Sequence, residues 1–191
     1  MADRDDALLT GIERRRSVRH VAADPEPTRA QVERLLAVAN MAPNHHLTQP
    51  WRFWVLRGRA LTELGEMMAV AAGEDDQARE RARVKPLRAP LLIAVGIKAP
   101  EPRAVPIEDV LATGAAVENL LLAATALGLG AMWRTGKEAY DPEVKRFFGL
   151  SAEEHLAGWI YLGLPAEREP EERPRVRRPV EELTEWRGWE A

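Results

Sequence analysis

Residues 107–127, IEDVLATGAAVENLLLAATAL, decide how this chain folds. At 3.6 residues per turn the apolar side chains fall nearly all round a helix, and a helix of that kind belongs inside a core. Gly128 and Gly130 supply its C-terminal stop. The stretch therefore reads as the spine of the molecule. Its small residues, Ala112, Gly114, Ala115 and Ala116, would also let a second backbone approach closely, as at a helix-to-helix contact between two subunits.

Just upstream, Leu91–Lys98 (LLIAVGIK) is apolar on both faces and reads as a central strand. Trp51–Arg57, Ala131–Gly136 and Leu156–Gly163 read as three more strands, rich in aromatic or β-branched residues. Between them lie helical patterns. Ala7–Arg16 carries Leu8, Leu9 and Ile12 at helical spacing. Thr28, with Gln31 three residues on, forms a capping box ahead of the stripe Val32, Leu35, Leu36 and Ala39. Leu61–Ala72 is a third helix, and Asp141 caps a short one that Pro142 starts and Gly149 ends. Strands interspersed with helices through connections of varied length indicate an α+β sandwich rather than a strict βαβ array.

Two segments stand apart from this pattern. Residues 74–90 have almost no apolar face and read as a solvated surface segment, or as an exposed helix able to cover a site. Residues 164–191 hold too little apolar surface for a domain, yet Trp186 and Trp189 need burial somewhere. The expectation is a single domain over residues 1–191 with a tail wrapping onto another subunit.

Composition removes several functional classes. The 191 residues are 46% hydrophobic and 30% charged, as in a soluble globular protein. With 27 basic and 30 acidic residues the formal net charge is −3, which argues against nucleic acid as the main partner. There is no cysteine, so disulfides, thiolate catalysis, iron–sulfur clusters and Cys-ligated zinc are excluded. The N-terminus lacks a basic region followed by an apolar core, and the apolar run around Leu120–Met132 is too short to span a bilayer. A cytoplasmic setting without a membrane partner is expected. The four histidines, His20, His45, His46 and His155, show no metal-ligand spacing. No nucleophile elbow, Rossmann fingerprint or P-loop occurs.

Three stretches are more polar than folding requires: Arg15-Arg16-Ser17 with Arg19, Asn44–Gln49, and Trp133-Arg134-Thr135. Two of them supply arginine and a hydroxyl, which suit a dianionic phosphate, while tryptophan and amide groups suit a flat heteroaromatic ring. The basic run after the first helix also has a plain structural use, since cations sit well at a helix C-terminus. Phosphate and ring together make a nucleotide-like cofactor, and a site without acid–base apparatus leaves the chemistry to that cofactor.

The order R-R-S at Arg15–Ser17, A-P-x5-Q-P-W-x-F at Ala42–Phe53 and G-L-G-x-x-W-R-T-G at Gly128–Gly136 resembles the nitroreductase family, chiefly its compact bacterial members with a W-R-[ST] segment. The likeness runs from about Ile12 to Gly163. It implies an α+β fold with a central, mainly antiparallel sheet flanked by helices. It also implies an intertwined homodimer with two FMN sites at the interface. Arg15, Arg16 and Ser17 match positions around the FMN phosphate and ribityl chain, and Arg19 a basic position near the pyrimidine edge of the flavin. Met41 and His45 fall where the family's proline loop meets the cofactor, and Trp133, Arg134 and Thr135 match the segment that reaches it after the long helix. Gln49 either fixes the loop onto the strand or touches the flavin.

The activity implied is passage of a hydride from NADH or NADPH through flavin N5 to a nitroaromatic or quinone-like acceptor, with no side chain as obligatory acid or base. The alternatives are a flavoenzyme for a specific small metabolite and a flavin-binding protein with little turnover. Two departures stand out. Asn44-His45-His46-Leu47-Thr48 replaces a loop that is serine-rich in many members, and Arg175-x-Arg177-x-Pro179 only loosely matches a basic stretch that contacts phosphate in some of them.

Overall fold

The computed structural model describes residues 2–98, 105–166 and 176–189; the proline-rich linker 99–104 and Arg175 lie outside the described residues. In chain order the elements are α1 (Ala2–Arg14), β1 (Val21–Ala22), α2 (Arg29–Ala39), β2 (Trp51–Arg57), α3 (Arg59–Ala71), α4 (Asp76–Arg83), β3 (Leu91–Ile97), α5 (Pro106–Ala126), β4 (Gly130–Arg134), α6 (Pro142–Phe147) and β5 (His155–Pro165). The strands form one sheet in the order β1-β5-β3-β2, with β4 also paired to β5, and every pairing is antiparallel.

The central strand is the one its composition announces. All seven residues of β3 are buried, because helices cover both faces of the sheet. On one face α2 and α5 lay Val32, Leu35, Ala116, Val117 and Leu120 against Ile93, Val95, Ile160 and Leu162. On the other, Leu61, Leu64 and Met68 of α3 join Ala82 of α4 and Val144 of α6 over Leu92, Ala94, Trp159 and Tyr161. Each fully buried side chain of this size stabilises the fold by roughly 1.5–3 kcal/mol.

Local chemistry sets the helix ends. The Thr28–Gln31 capping box is present, with both reciprocal bonds. At the end of α5 the Leu129 N–H donates to Ala124 O at 2.8 Å and the Gly128 N–H to Thr125 O at 3.1 Å, the paired bonds of a Schellman close. α5 is long and apolar enough to cross a membrane by composition, because its apolar character reaches back to Pro106. Here its inner face is core instead. Its outer face stays open: Ile107, Val110 and Leu111 are exposed, and a Cβ on Gly114 would meet nothing within 4 Å.

One boundary shifts, one strand is added and one segment is better docked than its composition implies. α1 ends at Arg14, not Arg16, and its Leu8, Leu9 and Ile12 are exposed. The two-residue β1 is too short to show a period in sequence. Residues 74–90 do hold an exposed helix, and it is anchored: α4 docks on α3 with Ala82 buried, and Arg83 pairs with Glu66 at 2.8 Å. Gly65 makes that docking possible, since a Cβ there would sit 2.3 Å from the Arg83 carbonyl oxygen. Gly65→Ala should therefore push the two helices apart and lower stability by about 1–3 kcal/mol. Thermal denaturation checks this, and an unchanged melting temperature would contradict it.

Candidate functional site

Two of the three polar stretches come together. After α1 the chain runs extended from Arg15 into β1, and the Val18 N–H donates to Ala131 O of β4 at 3.0 Å. Gly130 permits this approach, because a Cβ there would lie 2.9 Å from Val18 Cγ1. Residues 15–19 are thus tied to the strand that carries Trp133, Arg134 and, just past its end, Thr135.

The side chains in this region differ in how free they are. Arg15 is mostly buried and pairs with Glu118 of α5 at 3.2 Å. Arg16 turns back to donate to the Glu13 carbonyl at 2.7 Å and to the Arg15 carbonyl at 3.1 Å. Ser17 and Arg19 are exposed. Trp133 is partly exposed and anchored by Nε1–H donation to Ala157 O at 3.0 Å.

Arg134 points the other way. Successive side chains on a strand face opposite sides, and its guanidinium lies 5.3 Å from the Tyr161 ring centroid, in the layer beneath α3. It lines a cavity of about 330 Å3 with Met68, Lys85, Arg88, Trp159 and Tyr161. Neither Lys85 nor Arg88 was among the residues singled out by sequence. They sit on a turn between α4 and β3 with no motif around them, and only folding brings them to Arg134.

The one acid in that cavity is buried Glu138, 2.5 Å from Lys85 Nζ. Burial alone would raise its carboxyl pKa. The Lys85 hydrogen bond, its own backbone N–H and the charges of Lys85 and Lys137 outweigh that and hold it below the ordinary carboxylate value. Tyr161 is raised by burial, against the pull of Arg134 and Arg88.

The third stretch lies elsewhere. After α2, Met41 is exposed, and His45–Leu47 form a single 3-10 turn. His46, Leu47 and Gln49 all have positive φ, at 53°, 53° and 45°. Non-glycine residues hold that conformation only where surrounding contacts impose it. Here His45 Nδ1 meets Glu108 Oε2 at 2.8 Å, and Thr48 Oγ1 donates to Asp109 Oδ1 at 2.7 Å, so both contacts fall on the first turn of α5. The loop is tied internally by Asn44, whose Oδ1 accepts from the Gln49 N–H at 2.9 Å, while the Gln49 side chain is exposed. Glu108 and Glu118 are ten residues apart on α5, about 15 Å along the axis. Within one chain, Met41 and His45 therefore do not share a site with Arg15–Arg19. Arg177 is exposed and, among the described residues, donates only to Val176 O, at 3.4 Å.

No group of three or more metal-ligating side chains occurs among the described residues. What remains is an α+β protein with a cationic, tryptophan-flanked strand edge and a strained polar loop at the far end of its central helix. The chain belongs to the nitroreductase family, whose model matches residues 12–164. It is 38% identical over 164 residues to YdjA of Escherichia coli (strain K12), provisionally named an NAD(P)H nitroreductase, across 84% of this chain and 88% of that one. The nitroreductase-like family protein of Bacillus cereus superposes with a TM-score of 0.84 at 26% identity, covering 95% of this chain and 96% of that one. A protein of Desulfovibrio desulfuricans, provisionally named a nitroreductase and solved in complex with FMN, superposes at 0.74 with 28% identity, covering 96% and 98%. The central antiparallel sheet flanked by helices is the nitroreductase fold.

The pH dependence of stability follows from Glu138. Its folded pKa is depressed, so its contribution is complete above the unfolded value, about 4.3, and is lost as pH falls through the lower folded value. Glu138→Gln should flatten the decline of melting temperature between about pH 5 and pH 3. A slope equal to that of wild type would remove Glu138 from the acid limb.

Proposed function

We propose that this protein is an FMN-dependent oxidoreductase that passes a hydride from NADH or NADPH to nitroaromatic or quinone-like acceptors. It works as an intertwined homodimer with two cofactor sites at the interface. The observation that carries this reading is the separation just described. In a family member, the arginine–serine segment and the proline loop stand about 15 Å apart on one helix. A second copy placed across the outer face of α5 would supply the missing loop.

The residues suit such a cofactor. Ser17 and Arg19 have no side-chain hydrogen bond among the described residues, which leaves a hydroxyl and a guanidinium free for an anionic group. Trp133 presents part of its ring, and Thr135 is exposed beside it. Arg15 and Arg16 hold the segment in place through Glu118 and the end of α1. We assign Arg15, Arg16, Ser17, Arg19, Trp133 and Thr135 of one copy, with Met41 and His45 of the other, to the cofactor site. Arg134 is set apart because its guanidinium occupies the opposite face of β4.

FMN, when bound, supplies the two-electron chemistry. The chain would bind and orient it, and Arg19 would supply positive charge that favours the reduced, anionic form of the ring. Hydride transfer of this kind requires no side chain as an obligatory acid or base. The exposed apolar side chains of α1 (Leu8, Leu9) and α5 (Ile107, Leu111) are the surface a second copy would cover, together with Trp186 and Trp189 of the tail. The cytoplasm is the compartment this reading implies.

Anaerobic mixing of the FMN-loaded protein with NADH or NADPH tests the activity. Rapid bleaching of the flavin absorbance, and its recovery on adding a nitroaromatic or a quinone, are expected. A flavin that neither nucleotide bleaches would leave a binding protein only. Leu111→Glu on the outer face of α5 should yield a monomer that no longer retains FMN. A monomer that keeps FMN at wild-type affinity would defeat the two-copy site.

A further inference from the structure

Arg134 is the member of the W-R-T segment that the cofactor reading leaves without a task, and its surroundings have a chemistry of their own. The cavity it lines is closed by Met68 of α3, by the turn carrying Lys85 and Arg88, and by Trp159 and Tyr161 of β5. Four cations, Lys85, Arg88, Arg134 and Lys137, face a single carboxylate, Glu138. Lys85 already satisfies that carboxylate. Arg88, Arg134 and Lys137 have no ion pair among the described residues.

Two buried donors are also unmet. Among the described residues Arg134 Nε and Trp159 Nε1 have no hydrogen-bond partner, and Trp159 is only 3% exposed. A buried donor without an acceptor is costly, by roughly 1–3 kcal/mol. A cavity with three unpaired cations and two unmet donors, against one carboxylate already paired and the hydroxyls of Thr135 and Tyr161, is the complement of an oxyanion. Its floor is apolar, formed by Met68 and the rings of Trp159 and Tyr161. The volume, about 330 Å3, admits a single small ring or short chain.

We propose that this cavity, on the face of β4 opposite Trp133, binds a small organic anion, its carboxylate or phosphate head held by Arg134 and Arg88 and its apolar body resting on Met68, Trp159 and Tyr161. The site is made of side chains from one copy, so it does not depend on a dimer. Planar guanidiniums match either head bidentately. Lys85 and Glu138 form a neutral pair at the wall and keep the remaining charge of the cavity positive. Because Arg134 lies between Trp133 and Thr135 in sequence, an anion here would brace the segment that the proposed cofactor site uses from its other side. That last link rests on the cofactor reading; the anion site does not.

Isothermal titration calorimetry of the FMN-loaded protein with benzoate, phenyl phosphate and benzamide tests this, with Arg88→Gln alongside wild type. Arg88 is exposed and makes no ion pair among the described residues, so its replacement spares the fold. Saturable binding of benzoate or phenyl phosphate at one per chain is expected, with benzamide at least about tenfold weaker and Arg88→Gln weakening the anion by about tenfold. Benzoate alone assigns a carboxylate ligand, and phenyl phosphate alone a phosphate monoester. No saturable binding of either anion overturns the proposal, as does equal affinity for benzamide or an affinity unchanged in Arg88→Gln. If the protein takes up no FMN, the same titration on the colourless protein still decides the anion site, so the two proposals fail separately.

Discussion

The seating of α5 on a sheet that is itself buried on both faces is the constraint from which the remaining geometry follows. Ala116, Val117 and Leu120 lie against Ile93, Val95, Ile160 and Leu162 with essentially no exposure. Close packing of this kind leaves a helix no freedom to slide or turn, since either would open voids along its whole length. With α5 immobile, its polar positions become fixed stations. Glu108 and Asp109 receive the loop after α2, and Glu118 receives Arg15. The spacing of the functional segments is then the spacing of three acidic residues along one helix.

A second consequence concerns the outer face of the same helix. Its inward stripe is satisfied by the sheet and by α2, but Ile107, Val110 and Leu111 are not, and neither are Leu8, Leu9 and Ile12 of α1. In the proposed dimer, a second copy on this apolar surface would bury it and also bring the loop after α2 to residues 15–19 of the other copy. One contact would then meet both needs, burial of area and closure of the proposed site. That economy links the hydrophobic pattern of α5 to the proposed chemistry.

The strand alternation of β4 does comparable work at smaller scale. Trp133 and Arg134 are neighbours in sequence, yet they serve opposite faces of the sheet. One closes on the Ala157 carbonyl and stays near the edge where residues 15–19 dock. The other sits over Tyr161 in a cationic cavity whose single acid is already paired. Two chemically distinct environments therefore share a five-residue strand.

Much of this was legible in the residues. β2 runs from Trp51 to Arg57 as its composition implies, β3 is the central strand, the Thr28–Gln31 cap is present, and the three motifs mark the family without any coordinates. Periodicity, capping chemistry and glycine stops are local, so a linear chain displays them. Other features were hidden because they depend on what arrives from far away. The docking of 74–90 was invisible, since the decisive partner, Gly65, lies outside the charged run. β1 is two residues long and exists only because β5 extends past β4. The gathering of Arg134, Lys85 and Arg88 around one cavity, and the distance between His45 and Arg15, were settled by tertiary structure alone. Sequence by itself determined most of the elements, β1 excepted, and which residues carry polarity beyond structural need. The fold decided which of those residues meet, because proximity across a sheet is set by strand order and by what packs on each face, neither of which sequence separation encodes.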